Sequence, residues 1–191
     1  NLALETLGLP KGRYDVVHPN DHVNASQSTN DAYPTSVKLA TYFEIQDLLA
    51  ALAALRGAFQ VKAKEFKDIL KIGRTQLQDA VPMTLGQEFN AFVSMIAADE
   101  QRLRESANLL CEINMGTAIG TGINAPVGYA DVVTAKLAEF SGVPVVKAKD
   151  LIAATGDTGA FADISGILKR IAVKLSKISN DLRLLSSGPQ A

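Results

Sequence analysis

Residues 164–185 read ISGILKRIAVKLSKISNDLRLL, in which Ile164, Leu168, Ile171, Leu175, Ile178, Leu182 and Leu185 recur at alternating steps of four and three. This period keeps one stripe of apolar side chains on a single face of an α-helix. Val173 and Leu184 fall on roughly the opposite side at about 100° per residue, so one neighbour does not cover all the apolar surface. The helix is therefore predicted to need neighbours on two sides. A second stretch, from about Ser36 to Phe66, repeats the pattern with Ile45, Leu48, Leu52, Leu55, Phe59 and Phe66. A third, from Thr84 to about Ile113, carries Leu85, Phe89, Phe92, Ile96, Leu103 and Leu110, with Asp99 interrupting the seam. Thr84 and Gln87 have the spacing of a capping box, in which each side chain satisfies a free backbone donor of the first turn. Pro82 disfavours an earlier start.

Between the second and third of these long helices in chain order lies a Gly-rich stretch, residues 116–128. A shorter helix follows near Asp131 to Phe140, ended by Gly142 and Pro144. No alternating strand pattern is present. The expected fold is all-α, a long-helix bundle whose wide apolar faces are buried against further helices or other subunits. The chain opens without methionine and closes after the turn-forming Ser187-Gly188-Pro189, which reads as a piece of a longer protein.

Composition narrows the function classes. With 191 residues, 47% of them apolar, and a net charge of -1, the chain suits a globular domain and not a disordered or nucleic-acid-coating one. No basic run exceeds two residues, so neither a nucleic-acid groove nor a polybasic membrane patch is expected. The expected partners are small molecules or other protein chains. Cys111 is the only cysteine, so no intrachain disulfide can form and a reducing compartment is inferred. The longest apolar run, Leu48 to Leu55, is too short to span a bilayer, and no signal-peptide layout opens the chain. A cytoplasmic location is the expectation.

Three polar segments are candidates for chemistry. Residues 18–31, HPNDHVNASQSTND, are dense in hydrogen-bonding side chains just before the first long helix. Residue types alone leave two readings open, a ligand site or the capping of a helix start, with Pro34 suited to the opening turn. His18 and His22 have the four-residue spacing of a helical metal pair, but Pro19 disfavours a regular helix through them and no third ligand is evident. No metal site is assigned. Residues 73–82, GRTQLQDAVP, form a polar connection between two helices. Residues 120–125, GTGINA, fit a loose dinucleotide fingerprint but follow an amphipathic helix where that fold has a strand. Their glycines are expected to permit a tight turn or a close backbone approach.

Residues 18–31 closely resemble the first signature region of class II fumarases and aspartases, and residues 71–87, KIGRTQLQDAVPMTLGQ, resemble the second. Gly120-Thr121-Gly122-Ile123-Asn124 and residues 180–189 are similar to the same family in the same order, so the resemblance spans the chain, although family chains are much longer. It implies the central helical bundle of a homotetramer, with each active site drawn from three subunits. On that pattern residues 1–27 are the tail of an N-terminal domain and residues 28–191 an incomplete central bundle domain. The implied chemistry is elimination from a four-carbon dicarboxylate to give fumarate. Carried over by position, Ser28 and Thr29 would bind the carboxylate where charge accumulates, while Asn30, Thr75 and Gln76 would hold the leaving group.

Thr75-Gln76-Leu77, where fumarases usually place Thr-His-Thr, and residues 28–33, STNDAY, resemble the aspartate ammonia-lyase branch, which releases ammonia from L-aspartate. A class II fumarase is the alternative, and a non-catalytic helical scaffold on the same fold is the alternative from another class. The family's serine base lies in a Gly-Ser-Ser loop expected beyond Ala191, and a threonine segment that helps bind the carboxylate is expected upstream. The piece itself is thus expected to be inactive. The resemblance calls for no cofactor and leaves activation by a divalent metal open. At Met115-Gly116-Thr117 relatives usually carry one residue more.

Overall fold

A computed structural model describes residues 1–188, so Pro189 of the terminal turn lies outside the described residues. In chain order the elements are α1 (Leu2–Thr6), α2 (Thr29–Glu65), β1 (Leu70–Thr75), β2 (Gln78–Thr84), α3 (Leu85–Ala107), β3 (Glu112–Ile113), α4 (Tyr129–Ser141), β4 (Val146–Lys147), α5 (Leu151–Gly156) and α6 (Gly159–Leu185). The chain divides into two compact units, one of Asn1–Ala40 with Cys111–Asp157 and one of Thr41–Leu110 with Thr158–Ala191. Among the described residues no helix is long and apolar enough to cross a membrane.

The second unit is built from the long helices, and the helical bundle expected from the periodicity is present. Ile45, Leu49, Leu52 and Phe59 of α2, Phe89, Phe92, Ile96, Leu103 and Ala107 of α3, and Ile164, Ile171 and Ile178 of α6 form one buried cluster. On α2 Ile45, Leu52 and Phe59 are buried as the spacing suggested, while Leu49 is buried in place of Leu48, and Leu48 and Leu55 are only partly covered. At one end Phe59, Phe66, Phe89 and Phe92 meet at centroid separations of 5.2 to 5.9 Å. Edge-on contacts of this kind add about 0.5–1.5 kcal/mol beyond area burial. Gly86 sets the approach of α3 to the end of α2, because a Cβ there would sit 2.5 Å from the Ala63 carbonyl oxygen. The capping box is formed, with Thr84 N–H donating to Gln87 Oε1 at 2.9 Å and Gln87 N–H to Thr84 Oγ1 at 3.1 Å.

On α6 only every seventh residue is fully buried, while Leu168 and Val173 stay 43% and 62% exposed. Leu168 therefore leaves the stripe drawn from the sequence, and Val173 and Leu184 lie uncovered, as expected of a helix with a second apolar side. The interruption at Asp99 also has a physical account. Asp99 is 3% exposed, and its Oδ1 accepts from Lys174 Nζ at 2.7 Å and forms an ion pair with Arg170 Nε at 2.9 Å, both on α6. Its neighbour Glu100 meets Arg56 Nε of α2 at 2.8 Å. Buried carboxylates on α3 thus face cations from both flanking helices and fix which residues lie opposite each other.

Three local expectations are corrected. The connection at residues 70–84 is an antiparallel hairpin with a bulge between Ile72 and Arg74, not a loop. Its turn uses Gln76 and Leu77 at φ +53° and +60°, without the Asn-Gly or Asp-Gly chemistry that betrays such turns in a sequence. Second, α2 begins at Thr29, which places Pro34 inside the helix and not in its opening turn. Third, α3 ends at Ala107, because residues beyond it leave the helix for a parallel pairing of Glu112 with Val146 and Ile113 with Lys147.

The first unit buries Leu4, Ile113, Met115, Val143, Val145 and Ala148 beside a set of polar side chains, Asp31, Thr35, Lys38, Asn114 and Thr117. Helix α4 stops at Gly142, whose φ of +69° suits the left-handed cap. The Gly-rich stretch brings backbone close to α5. A Cβ on Gly120 would lie 2.5 Å from the Leu151 carbonyl carbon.

Replacing both Arg170 and Lys174 by Met strands the Asp99 carboxylate, and a loss of about 3 kcal/mol or more is expected in urea denaturation. Adding Asp99→Leu is expected to recover most of that loss by closing the apolar seam. Equal stability of the double and triple variants would refute this account of α3.

Candidate functional site

The start of α2 holds the first group of candidate residues. Ser28 precedes the helix and closes its first turn reciprocally with Asp31. Its hydroxyl oxygen accepts from Asn30 N–H at 3.2 Å, while Asp31 Oδ1 accepts from Ser28 N–H at 2.9 Å. This is a capping arrangement, so part of the polar run does what a helix start requires. Capping uses an acceptor lone pair of Ser28 and leaves its hydroxyl proton available to a ligand. Thr29 and Asn30 are exposed. They stand at the positive end of a 37-residue helix, where an anion is favoured.

Beneath this turn the support is polar. Asp31 is fully buried, and its Oδ2 accepts from Thr117 N–H at 2.8 Å and Gly116 N–H at 3.3 Å. Asn114 donates through Nδ2 to the Asn30 carbonyl at 2.9 Å and to Thr155 Oγ1 at 3.2 Å. The reason lies in Pro34. It has no N–H to give to the carbonyl four residues earlier, which is that of Asn30, and the Asn114 amide takes the place of the missing donor. Thr117 pays for its position with φ +72° and ψ −164°, a region that is essentially restricted to glycine. One turn further along α2, Lys38 Nζ donates to the Glu112 carbonyl at 2.6 Å. Burial lowers the Lys38 ammonium below the usual lysine value, opposed by the Glu112 and Asp157 carboxylates.

Residues 19–23 form one turn of π-helix capped by His18, whose Nδ1 lies 3.3 and 3.2 Å from the N–H groups of Asn20 and Asp21. His22 Nδ1 accepts from His18 N–H at 2.8 Å. Both Nδ1 atoms are thus engaged locally.

The second group, Thr75 and Gln76, lies at the tip of the β1–β2 hairpin in the other unit. Within that unit they line an open groove of about 560 Å³ with Lys71, Arg74, Lys177 and Asp181. Lys71 pairs with Glu88 and Lys177 with Asp181, whereas Arg74 has no ion-pair partner among the described residues. A guanidinium, a hydroxyl and a carboxamide on one groove suit an anionic, hydrogen-bonding ligand. Arg74 and Asn114 are the residues that sequence reasoning left without a role. Arg74 carried the signal of a cation in a polar segment, but Asn114, inside an apolar stretch, carried none.

The profile of a family described as Lyase matches residues 2–191. Aspartate ammonia-lyase of Helicobacter pylori strain 26695 is 57% identical over 192 aligned positions, covering 100% of this chain and 41% of the relative. The aspartate ammonia-lyases of Escherichia coli K12 and Pseudomonas aeruginosa are 56% and 58% identical, each with 40% of its length covered. The chain therefore spans about two fifths of the length of these relatives. The 192 positions against 191 residues leave room for the one-residue shortening expected near Met115. Among solved structures, fumarate lyase:delta crystallin from Brucella melitensis bound to cobalt superposes with a TM-score of 0.94 at 56% identity, covering 100% of this chain and 42% of that one. A recombinant class II fumarase from Schistosoma mansoni gives 0.82 at 35% identity, covering 91% and 40%.

Leu77 is 80% exposed at φ +60°, a conformation that costs a side chain roughly 1–2 kcal/mol. Leu77→Gly is expected to stabilise the protein by about 1 kcal/mol in thermal or chemical denaturation. Unchanged or reduced stability would contradict the turn geometry that presents Gln76.

Proposed function

Because the chain belongs to the Lyase family, we propose that the full-length protein is a carbon–nitrogen lyase that eliminates ammonia from L-aspartate to give fumarate. The observation that carries this reading is the start of α2, where Ser28 and Asp31 close the turn on each other and leave hydroxyl protons and an exposed Asn30 amide at the positive helix end. Removing a proton beside an ionised carboxylate generates a dianion resembling an enediolate, and its stabilisation requires donors fixed in advance. Ser28 and Thr29 have that chemistry. An ammonium group is a donor only, and the side-chain oxygens of Asn30, Thr75 and Gln76 are the acceptors that suit it. Gln76 in the turn after β1 favours an amine over a hydroxyl as leaving group.

The reading implies four copies of the chain, each site gathering residues from three of them. Support comes from the bare apolar side of α6, where Val173 is 62% and Leu184 39% exposed. Residues 28–191 then belong to a central helical-bundle domain and residues 1–27 to the tail of the domain before it. The serine base would come from a loop outside residues 1–191, so this stretch alone is expected to be inactive. No cofactor is required by these steps. A cytoplasmic location accompanies the reading, consistent with the single, buried Cys111.

A fumarase on the same scaffold is the second reading, favoured by the overlap with the Schistosoma enzyme. Release of ammonia from L-aspartate by the full-length protein, measured against malate formation from fumarate, decides between the two. Activity in neither direction would leave a non-catalytic helical scaffold. Thr29→Ala and Thr75→Ala are each expected to lower turnover by about a hundredfold or more. A variant that keeps the parent rate would remove its residue from the site.

A further inference from the structure

We infer that Asp31 and Asn114 are positioning residues that hold the 28–30 turn in its catalytic geometry, an inference that rests on the lyase reading above. Neither needs to touch the substrate. Asp31 is fully buried at the first turn of α2, and its carboxylate accepts three backbone N–H groups, those of Ser28 on one oxygen and of Gly116 and Thr117 on the other. One side chain therefore ties the backbone of a candidate site residue to a loop that is distant in sequence. Asn114, 1% exposed, makes the second tie through its bond to the Asn30 carbonyl.

The arrangement is more than ordinary capping. A cap needs one acceptor for the free N–H groups of the first turn, and Ser28 Oγ already supplies one. The second carboxylate oxygen of Asp31 serves the loop, and the Asn114 amide donates from the loop to the Asn30 carbonyl and to Thr155 Oγ1. That loop holds Thr117 in a backbone conformation rarely open to a β-branched residue, and such geometry persists where the surroundings over-determine it. Pro34 makes the connection necessary, because it removes the helix's own donor to the Asn30 carbonyl. Neutral ties would be weaker. A buried carboxylate with three donors instead gives a stiff, directional support, which suits residues that must meet a developing charge without rearranging.

The consequence is specific. A displacement of about 1 Å at a catalytic group costs about a hundredfold in rate, and loss of contacts made only in the transition state lowers kcat and kcat/KM together while KM stays near its parent value. Asp31→Asn keeps the volume and one acceptor but cannot serve both Ser28 and the loop. In the full-length protein it is expected to lower kcat about a hundredfold on L-aspartate, counted per binding site titrated calorimetrically with succinate, with KM within about threefold of the parent. Asn114→Ala is expected to act in the same sense. Ile171→Val, in the core of the other unit, is the control for stability: its melting temperature falls while kcat per titrated site holds.

A purely structural role for Asp31 would reduce the number of succinate sites in step with activity and leave kcat per site at the parent value, and that result overturns the inference. Should Asp31→Asn fail to fold, the Asn114→Ala value decides by the same criterion. Full-length parent protein that eliminates nothing from L-aspartate overturns the lyase reading and this inference with it. An active parent with an unchanged Asp31→Asn rate per site overturns the inference alone.

Discussion

The start of α2 has a backbone carbonyl that its own helix cannot satisfy, and much of the first unit is arranged around that shortage. Pro34 withholds the N–H that would reach the Asn30 carbonyl. A covered acceptor without a partner costs about 1–3 kcal/mol, and Asn114, itself 1% exposed, provides the Asn30 carbonyl with a donor at 2.9 Å. Once Asn114 is placed, its loop lies under the helix start, and Asp31 collects the N–H groups of Gly116 and Thr117. The polar face of α2 continues downward through Thr35 and Lys38. A helix end usually docked by apolar contacts is docked here by hydrogen bonds, which fix direction as well as distance.

The second unit follows a different rule. Its three long helices meet along an apolar seam, and burial of that seam supplies the driving force. Apolar contacts by themselves are indifferent to a shift of one turn. Asp99 and Glu100 reduce the indifference, since their pairs with Arg170, Lys174 and Arg56 form only when those residues stand opposite. Buried ion pairs are poor sources of net stability but good specifiers of register. The hairpin at residues 70–84 grows from this frame, and Lys71 ties it to Glu88 of α3, so Thr75 and Gln76 are carried on a rigid support.

These two supports explain why the polar residues of the chain divide into distinct kinds. Ser28, Thr29, Asn30, Thr75 and Gln76 keep hydrogen-bonding capacity toward solvent, whereas Asp31 and Asp99 are enclosed and matched with donors and Asn114 is enclosed with its amide donating to Asn30 and Thr155. The exposed set is the one available to a ligand. The enclosed set holds it in place, and the two are adjacent in sequence at residues 30 and 31, which is why spacing alone could not separate a ligand site from a helix cap. The capping description applies to Ser28 and Asp31, and the exposed Thr29 and Asn30 of the same turn are the candidate ligand groups.

Periodicity by itself determined the long helices, because an apolar repeat near 3.6 residues can be buried in only one regular conformation, and the spacing of Thr84 and Gln87 determined where α3 begins. The signature residues were legible as well, since a dense polar run at a helix start is visible without coordinates. Tertiary structure decided what local rules could not. The hairpin turn at Gln76 and Leu77 uses positive φ in residues that do not advertise it. Helix α2 runs back through Pro34 only because a side chain from a remote loop replaces the lost donor. The burial of Asp31 depends on N–H groups contributed more than 80 positions away. In the last two cases the decisive partner lies far along the chain, and a pattern read residue by residue has no term for it.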